Sequence, residues 1–122
     1  MLPTNQTWRP MSSSPKATGA PGAWRLQSED VVFMLCDVQE VFRDKIQCMD
    51  YLIHACKMMV DAAPILNIPV ITSEQYPARL GSTIPELKDG VGFLFEKTTF
   101  SMCCPEIKTK LRLLGKRKVV LM

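Results

Sequence analysis

The sequence has few of the residues that usually bind metals. It contains one histidine, His54, and no C-x-x-C pair in 122 residues. A structural zinc site needs four Cys or His ligands held close together. A structural zinc site is therefore not supported, and we expect no cofactor.

Long apolar runs and a disulfide pattern are also missing. No run approaches the roughly 20 apolar residues that cross a bilayer, so we predict no membrane partner. The cysteines are odd in number, and their spacing fits no disulfide framework: they are Cys36, Cys48, Cys56, Cys103 and Cys104. Free cysteines and the lack of a secretory leader favour a reducing compartment, and we expect the cytoplasm.

Acidic residues are missing from positions 1–28, which hold three basic residues and four prolines among Ser, Thr and Gly. Such a composition cannot bury enough apolar surface to offset the entropy of ordering. We predict a disordered Pro/Ser-rich tail over residues 1–28. A mitochondrial transit peptide is the alternative, although prolines interrupt the amphipathic helix that it requires.

The remaining residues carry no net charge. Lys and Arg total 15 and Asp and Glu 12, and three of the basic residues lie in the tail, which leaves 12 of each sign in residues 29–122. Nucleic-acid binding usually needs a basic surface. We therefore predict no nucleic-acid partner.

The pattern after the tail predicts alternating strands and helices. "VVFMLCD" is an apolar run closed by Asp37, which is typical of a strand buried on both faces. A helix is predicted next, with Asp50 as N-cap and His54 on its solvated face. Its apolar stripe is Leu52, Cys56, Met59 and Ala63, and Pro64 should end it.

The second half of the pattern continues in the same way. "IPVIT" (68–72) predicts a second strand, "SEQYPARLGSTIPEL" a long functional loop, and "VGFLFEK" an extended segment ending at Lys97. "CPEIKTKLRLLG" predicts a helix with Gly115 as C-cap, and residues 118–122 predict a third buried strand. The order predicts an α/β fold with a parallel sheet and right-handed crossovers.

Three motifs carry a family resemblance. "FMLCDVQEVFRDKI", "IPVITSEQYPARLGSTIPEL" and "FEKTTFSM", in this order and spacing, resemble the isochorismatase-like cysteine hydrolases, and especially the eukaryotic isochorismatase domain-containing proteins. The resemblance covers residues 31–122 and corresponds to the N-terminal half of that domain (29–122). It implies a Rossmann-like parallel sheet of about six strands, truncated here after about the third core strand.

The resemblance also implies the residues of the site. Asp37 matches the family's catalytic acid and Lys97 its lysine, in a triad of Asp, Lys and Cys that hydrolyses amide-like C–N bonds through an acyl-enzyme intermediate. Gln39, Phe42, Gln75 and Tyr76 are expected to line the pocket for a small-molecule substrate. The zinc-binding relatives carry a D-x-H-x-x-H motif where this chain has "SEQYP", so no metal is implied. Oligomers are frequent among relatives, so a homo-oligomer is one expectation.

The nucleophile is where the sequence departs from the family. The resemblance places that cysteine in a Gly-rich loop beyond Met122, and none of the five cysteines matches it. Cys36 adjoins Asp37, but neighbouring strand residues point to opposite faces, so we interpret it as core. Cys103 and Cys104 follow Lys97 at a short distance, yet no motif supplies a base for them.

Two functions stay open at this point. In the first, the chain is the incomplete form of an isochorismatase-like hydrolase, inactive by itself. In the second, it is a genuine non-catalytic short isoform that associates with other proteins through its unpaired strands.

Overall fold

A computed structural model describes residues 25–122. Most of the predicted tail, residues 1–24, lies outside the described residues. Residues 25–27 have no regular secondary structure, and Ser28–Asp30 form one 3-10 turn before the first strand.

Four parallel strands form one sheet in the order β3-β2-β1-β4. The strands are β1 (Val31–Cys36), β2 (Val70–Gln75), β3 (Phe93–Lys97) and β4 (Lys118–Leu121), and the helices are α1 (Met49–Ile65), α2 (Pro77–Leu80) and α3 (Pro105–Leu114). The predicted α/β class and parallel sheet are confirmed. The strand order reverses direction between β1 and β4, which in such sheets marks the crevice where ligands bind.

The alternation of β1 side chains explains the two-sided core. Val31, Phe33 and Leu35 pack on the α1 side, whereas Val32 and Met34 pack on the opposite side. On that opposite side they meet Ile107 of α3. Because both faces are covered, the strand reads as one continuous apolar run, as the sequence predicted.

Helix α1 contacts the sheet through a slightly different stripe from the predicted one. Its buried residues are Met49, Ile53, Cys56, Val60 and Ala63, so Leu52 and Met59 lie at the margin of the buried face. The residue before the helix is Cys48, in a left-handed conformation, and Asp50 lies inside the first turn. The predicted Asp50 N-cap is therefore wrong. His54 is exposed and the helix ends just after Pro64, as predicted.

Two strand predictions need correction. Strand β2 covers residues 70–75 and not 68–72, because Ser73 and Glu74 continue the buried strand with hydrogen-bond partners inside the protein. Residues 118–121 form a fourth strand at the sheet edge that is not buried, since Val119 is 49% exposed and Leu121 66%. The predicted Gly115 C-cap is confirmed by its left-handed conformation after α3.

Candidate active site

The carboxyl ends of β1, β2 and β3 bring three polar side chains together. Asp37 follows β1, Ser73 lies near the end of β2, and Lys97 is the last residue of β3. Parallel strands end at the same edge of a sheet, so residues far apart in the chain become neighbours there. The predicted pair of Asp37 and Lys97 meets at this edge.

Asp37 and Lys97 form a buried ion pair. The Nζ atom of Lys97 lies 2.6 Å from Oδ2 of Asp37. The Lys97 side chain is 1% exposed and the Asp37 side chain 13%. A charge held out of water needs a partner and further hydrogen bonds to offset desolvation. The remaining contacts of both groups show how this requirement is met.

The Lys97 ammonium has an acceptor for each of its three hydrogens. Besides Asp37, it donates to the carbonyl oxygens of Thr99 at 3.0 Å and Phe100 at 3.2 Å. The turn after β3 therefore folds back over the lysine head. This arrangement fixes the position of the positive charge.

The second carboxylate oxygen of Asp37 is also occupied. Ser73 donates from Oγ to Oδ1 of Asp37 at 2.7 Å, while the Asp37 amide donates to the Ser73 carbonyl at 3.1 Å. Asp37 has a φ of 51°, a left-handed conformation that costs energy for a non-glycine residue. Strained backbone of this kind persists where the surroundings hold it, often in functional sites.

Gln39 lies next to the ion pair but makes contacts with backbone groups. Its Nε2 donates to the carbonyl oxygens of Gln75 at 3.0 Å and Gly81 at 2.5 Å, and its Oε1 accepts from the Gln75 amide at 2.8 Å. The side chain is completely buried. Gln39 therefore ties the end of β2 to the loop that follows it.

Glu74 of β2 also contacts this loop. Its Oε1 accepts from both the amide and the hydroxyl of Thr83, at 2.6 and 2.8 Å. Sequence reasoning assigned no role to Glu74 or to Ser73. The polar dipeptide "SE" is typical of an exposed loop. Its position directly after an apolar strand is the signal that could have identified Ser73 and Glu74 as buried residues of the site.

The other predicted pocket residues lie at different depths. Tyr76 is about half-exposed and has a φ of 40°, its amide donates to the Lys97 carbonyl at 2.8 Å, and its ring faces the Arg79 guanidinium. Gln75 is partly buried at the end of β2. Phe42 is partly buried in the 3-10 turn Glu40–Phe42. The described contacts join Gln75 and Tyr76 to the ion pair's surroundings, and the Phe42 amide donates to the Gln39 carbonyl at 3.1 Å.

A cleft of about 540 Å³ opens beside Lys97. It lies between the start of α2, the end of β3 and the start of α3, and its walls include Tyr76, Pro77, Thr99 and Cys104. The size suits a small molecule. Lys97 is among the residues that line it, and Asp37 is not.

Cys36 is the cysteine whose surroundings involve the ion pair. Burial raises the pKa of its thiol first, and the negative charge of Asp37 raises it further, against a smaller lowering by Lys97. The same side chain packs with the apolar cluster on the α3 side, in agreement with its interpretation as core. A thiol with a raised pKa is a poor nucleophile at neutral pH. Burial also raises the pKa of Cys56.

Within residues 25–122, no three His, Cys, Asp or Glu side chains are grouped as a metal ion would require. None of the helices in this part of the chain has the length and apolar character to cross a membrane.

Comparisons with known proteins show which proteins the chain is similar to. No family model matches the sequence. Among curated proteins, isochorismatase domain-containing protein 1 of Danio rerio is 45% identical over 92 residues, which are 74% of this chain and 32% of that protein. The secreted isochorismatase effector Isc1 of Phytophthora sojae is 38% identical over 118 residues, which are 92% of this chain and 54% of that protein.

Solved structures give the same relationship. A Caenorhabditis elegans structure described as MAR1 ribonuclease superposes with a TM-score of 0.75 at 38% identity, covering 80% of this chain and 52% of that one. An isochorismatase from Pseudomonas putida superposes with a TM-score of 0.67 at 18% identity, covering 79% and 57%. The chain thus spans a third to about half the length of these relatives.

Proposed function

The chain belongs with the isochorismatase-like proteins, and from this premise we propose that it supplies the Asp and Lys of a cysteine hydrolase that acts on a small molecule. The observation that carries the proposal is the buried contact of 2.6 Å between Lys97 Nζ and Asp37 Oδ2 at the carboxyl edge of the sheet. Both residues sit in the motifs that resemble the family, and Lys97 also lines the cleft beside the ion pair.

The chemistry follows from the charges. In the proposed reaction, Asp37 accepts the proton of a cysteine thiol, and the resulting thiolate attacks the carbonyl carbon of an amide-like substrate. The C–N bond breaks as Asp37 returns this proton to the leaving amine. Water then gives a proton to Asp37 and attacks the thioester, which releases the carboxylic acid and, with that proton, regenerates the thiol. Lys97 stabilises the negative charge on Asp37 and on the thiolate. Gln39, Gln75, Phe42 and Tyr76 are proposed to shape the pocket.

We propose that the nucleophile is not one of the five cysteines of this chain. Cys36 has a raised pKa, and Cys103 and Cys104 make no described contact with Asp37. In the relatives, the part that this chain does not span would then carry the nucleophile. The 122-residue chain is therefore expected to be inactive by itself.

A small molecule is the proposed substrate class, without a metal or other cofactor. The equal numbers of acidic and basic residues in 29–122 argue against nucleic acid, and the cleft beside Lys97 has the volume of a small-molecule site. The C. elegans relative described as a ribonuclease makes RNA the competing substrate. A reducing compartment, the cytoplasm, fits the five free cysteines, with mitochondria as the alternative.

A second candidate function is non-catalytic association with other proteins, including further copies of the chain. It is favoured by the outer edge of β4, where Val119 and Leu121 are exposed beside unpaired backbone groups. Such an edge is a template for pairing with another strand.

Sequencing the transcript across the codon for Met122, with assays of the encoded protein, separates the two functions. A product that continues into a Gly-rich loop with a cysteine, and that hydrolyses amides or esters but not RNA, supports the hydrolase. A stop codon directly after Met122, with a stable and inactive protein, supports association. Turnover by the 122-residue chain that Lys97→Ala abolishes would overturn the assignment of the nucleophile.

A further inference from the structure

Ser73 is a buried polar residue of the site to which the family resemblance assigns no role. It is completely buried, and its hydroxyl donates to Oδ1 of Asp37 at 2.7 Å. The other carboxylate oxygen, Oδ2, accepts from Lys97 at 2.6 Å. Each oxygen of Asp37 therefore has its own donor, from a different strand.

We propose that Ser73 is a positioning residue that holds the Asp37 carboxylate in the orientation in which it pairs with Lys97. The inference rests on the proposed function for its catalytic meaning, because Asp37 is the proposed proton acceptor. It adds a residue that acts through Asp37 and does not itself touch the substrate.

The local backbone explains why a second donor is needed. Asp37 comes after the last residue of β1 and has a left-handed φ of 51°. Its side chain thus leaves the regular alternation of the strand, and a terminal carboxylate rotates with little resistance about its last torsion. A single contact to Lys97 would fix one oxygen only. The Ser73 hydroxyl fixes the second oxygen and so the plane of the group.

The register of the sheet supplies the hydroxyl at the right place. Ser73 pairs with Cys36 across β1 and β2, so Ser73 is level with the residue before Asp37. The Asp37 amide also donates to the Ser73 carbonyl at 3.1 Å. Ser73 therefore contacts Asp37 through both its backbone and its side chain, and only the side-chain contact can be removed by mutation.

The test measures the ion pair directly and needs no turnover. In protein labelled with ¹⁵N and ¹³C, a scalar coupling across the hydrogen bond joins Nζ of Lys97 to the carboxyl carbon of Asp37. We expect this coupling in the unchanged chain, a weaker coupling in Ser73→Cys, whose thiol is a weak donor, and a loss of at least half in Ser73→Ala. The exchange of the Lys97 ammonium protons with water should accelerate severalfold in Ser73→Ala.

Thr72→Val is the matched control. Thr72 is the preceding residue of the same strand and is also completely buried, and its hydroxyl donates to the Val91 carbonyl on the other side of the sheet. The change removes a buried hydroxyl while leaving Asp37 untouched, so the coupling should persist.

An unchanged coupling in folded Ser73→Ala would overturn the proposal, as would equal losses in Thr72→Val and Ser73→Cys. If Ser73→Ala does not fold, Ser73→Cys, which replaces only the oxygen by sulfur, decides. Because the coupling is independent of hydrolysis, a failure of the hydrolase assignment leaves this result intact, and a failure here leaves that assignment intact.

Discussion

Lys97 and Asp37 are 60 positions apart in the chain, yet the ammonium of one lies 2.6 Å from the carboxylate of the other. The contact links β1 to β3 across the end of β2, which lies between them in the sheet. Ser73 of β2 completes the arrangement by bonding to the same carboxylate. The three strands therefore share one polar cluster at their carboxyl ends.

Lys97→Met should lower the free energy of unfolding by about 3 kcal/mol, because it leaves the partly buried Asp37 charge without its partner. Asp37→Asn combined with Lys97→Met should be less destabilised than Lys97→Met alone, since no unpaired charge remains. Urea unfolding of the three proteins measures these differences.

Lys57→Met is the control for this prediction. Lys57 pairs with Asp61 on the surface of α1, where both side chains are more than one third exposed. Surface pairs one helical turn apart contribute about 0.5 kcal/mol or less. Two outcomes would contradict the buried-pair account. One is a loss of unfolding free energy in Lys57→Met as large as that in Lys97→Met, and the other is a double variant no more stable than Lys97→Met alone.

The residues of this pair were predictable from the sequence only through the resemblance. Each residue by itself is an ordinary feature: Asp37 ends a strand, and Lys97 follows "FLFE". No local sequence pattern predicts that their side chains are in contact. The meeting depends on the strand order, in which β2 lies between β1 and β3. Hydrophobic periodicity gives the elements but not their order in the sheet.

The errors in the prediction also have a physical cause. The sequence predicts a loop that starts at Ser73 and Glu74, because polar residues rarely occupy buried strands. Their burial is possible because Asp37 and Thr83 satisfy their side chains. Strand β4 was read as buried from its apolar composition, although it lies at an edge where Val119 and Leu121 are exposed. Burial depends on neighbours that composition does not reveal.

Gln39→Leu should lower the free energy of unfolding by about 3 kcal/mol. The change leaves the amide and carbonyl of Gln75 and the carbonyl of Gly81 without their side-chain partner, and each unsatisfied buried group costs about 1–3 kcal/mol. Hydrogen exchange should become faster at the Gln75 amide, which loses its acceptor.

Gln47→Leu provides the comparison, since Gln47 is an exposed residue before α1. Its effect should stay within about 0.5 kcal/mol. Equal stabilities of the two variants, with unchanged exchange at Gln75, would show that Gln39 does not hold the loop.

Gly92→Ala should destabilise the protein by about 3 kcal/mol. Gly92 lies just before β3, in a backbone conformation and a close packing that suit glycine. Gly92 has a φ of +63°, and an added Cβ would lie 2.3 Å from the Val70 carbonyl oxygen. The cost combines left-handed strain with overpacking against backbone. Thermal unfolding of the variant measures it.

Gly115→Ala separates strain from clash. Gly115 has the same φ of +63°, but an added Cβ meets nothing within 4 Å. Its cost should be about 1 kcal/mol, from strain alone. If Gly92→Ala and Gly115→Ala unfold at the same temperature, contact of the added Cβ with the Val70 carbonyl does not destabilise the protein.

The Cys36 thiol should react slowly with iodoacetamide at neutral pH, and Asp37→Asn should make it react faster. Burial and the Asp37 charge both raise the pKa of this thiol, so the thiolate is scarce until the pH exceeds the ordinary cysteine value. The Asn variant keeps the shape of residue 37 but removes its negative charge, which lowers the Cys36 pKa and increases the thiolate fraction. Mass spectrometry of the labelled peptide over a pH series gives the rate at each cysteine.

Cys103 is exposed and serves as the internal reference in every sample. Its rate should be the same with Asp and with Asn at residue 37, since no contact joins it to that side chain in the described structure. A Cys36 rate that stays unchanged in Asp37→Asn, or that falls, would show that Asp37 does not suppress this thiol, and Cys36 would then have to be reconsidered as the nucleophile.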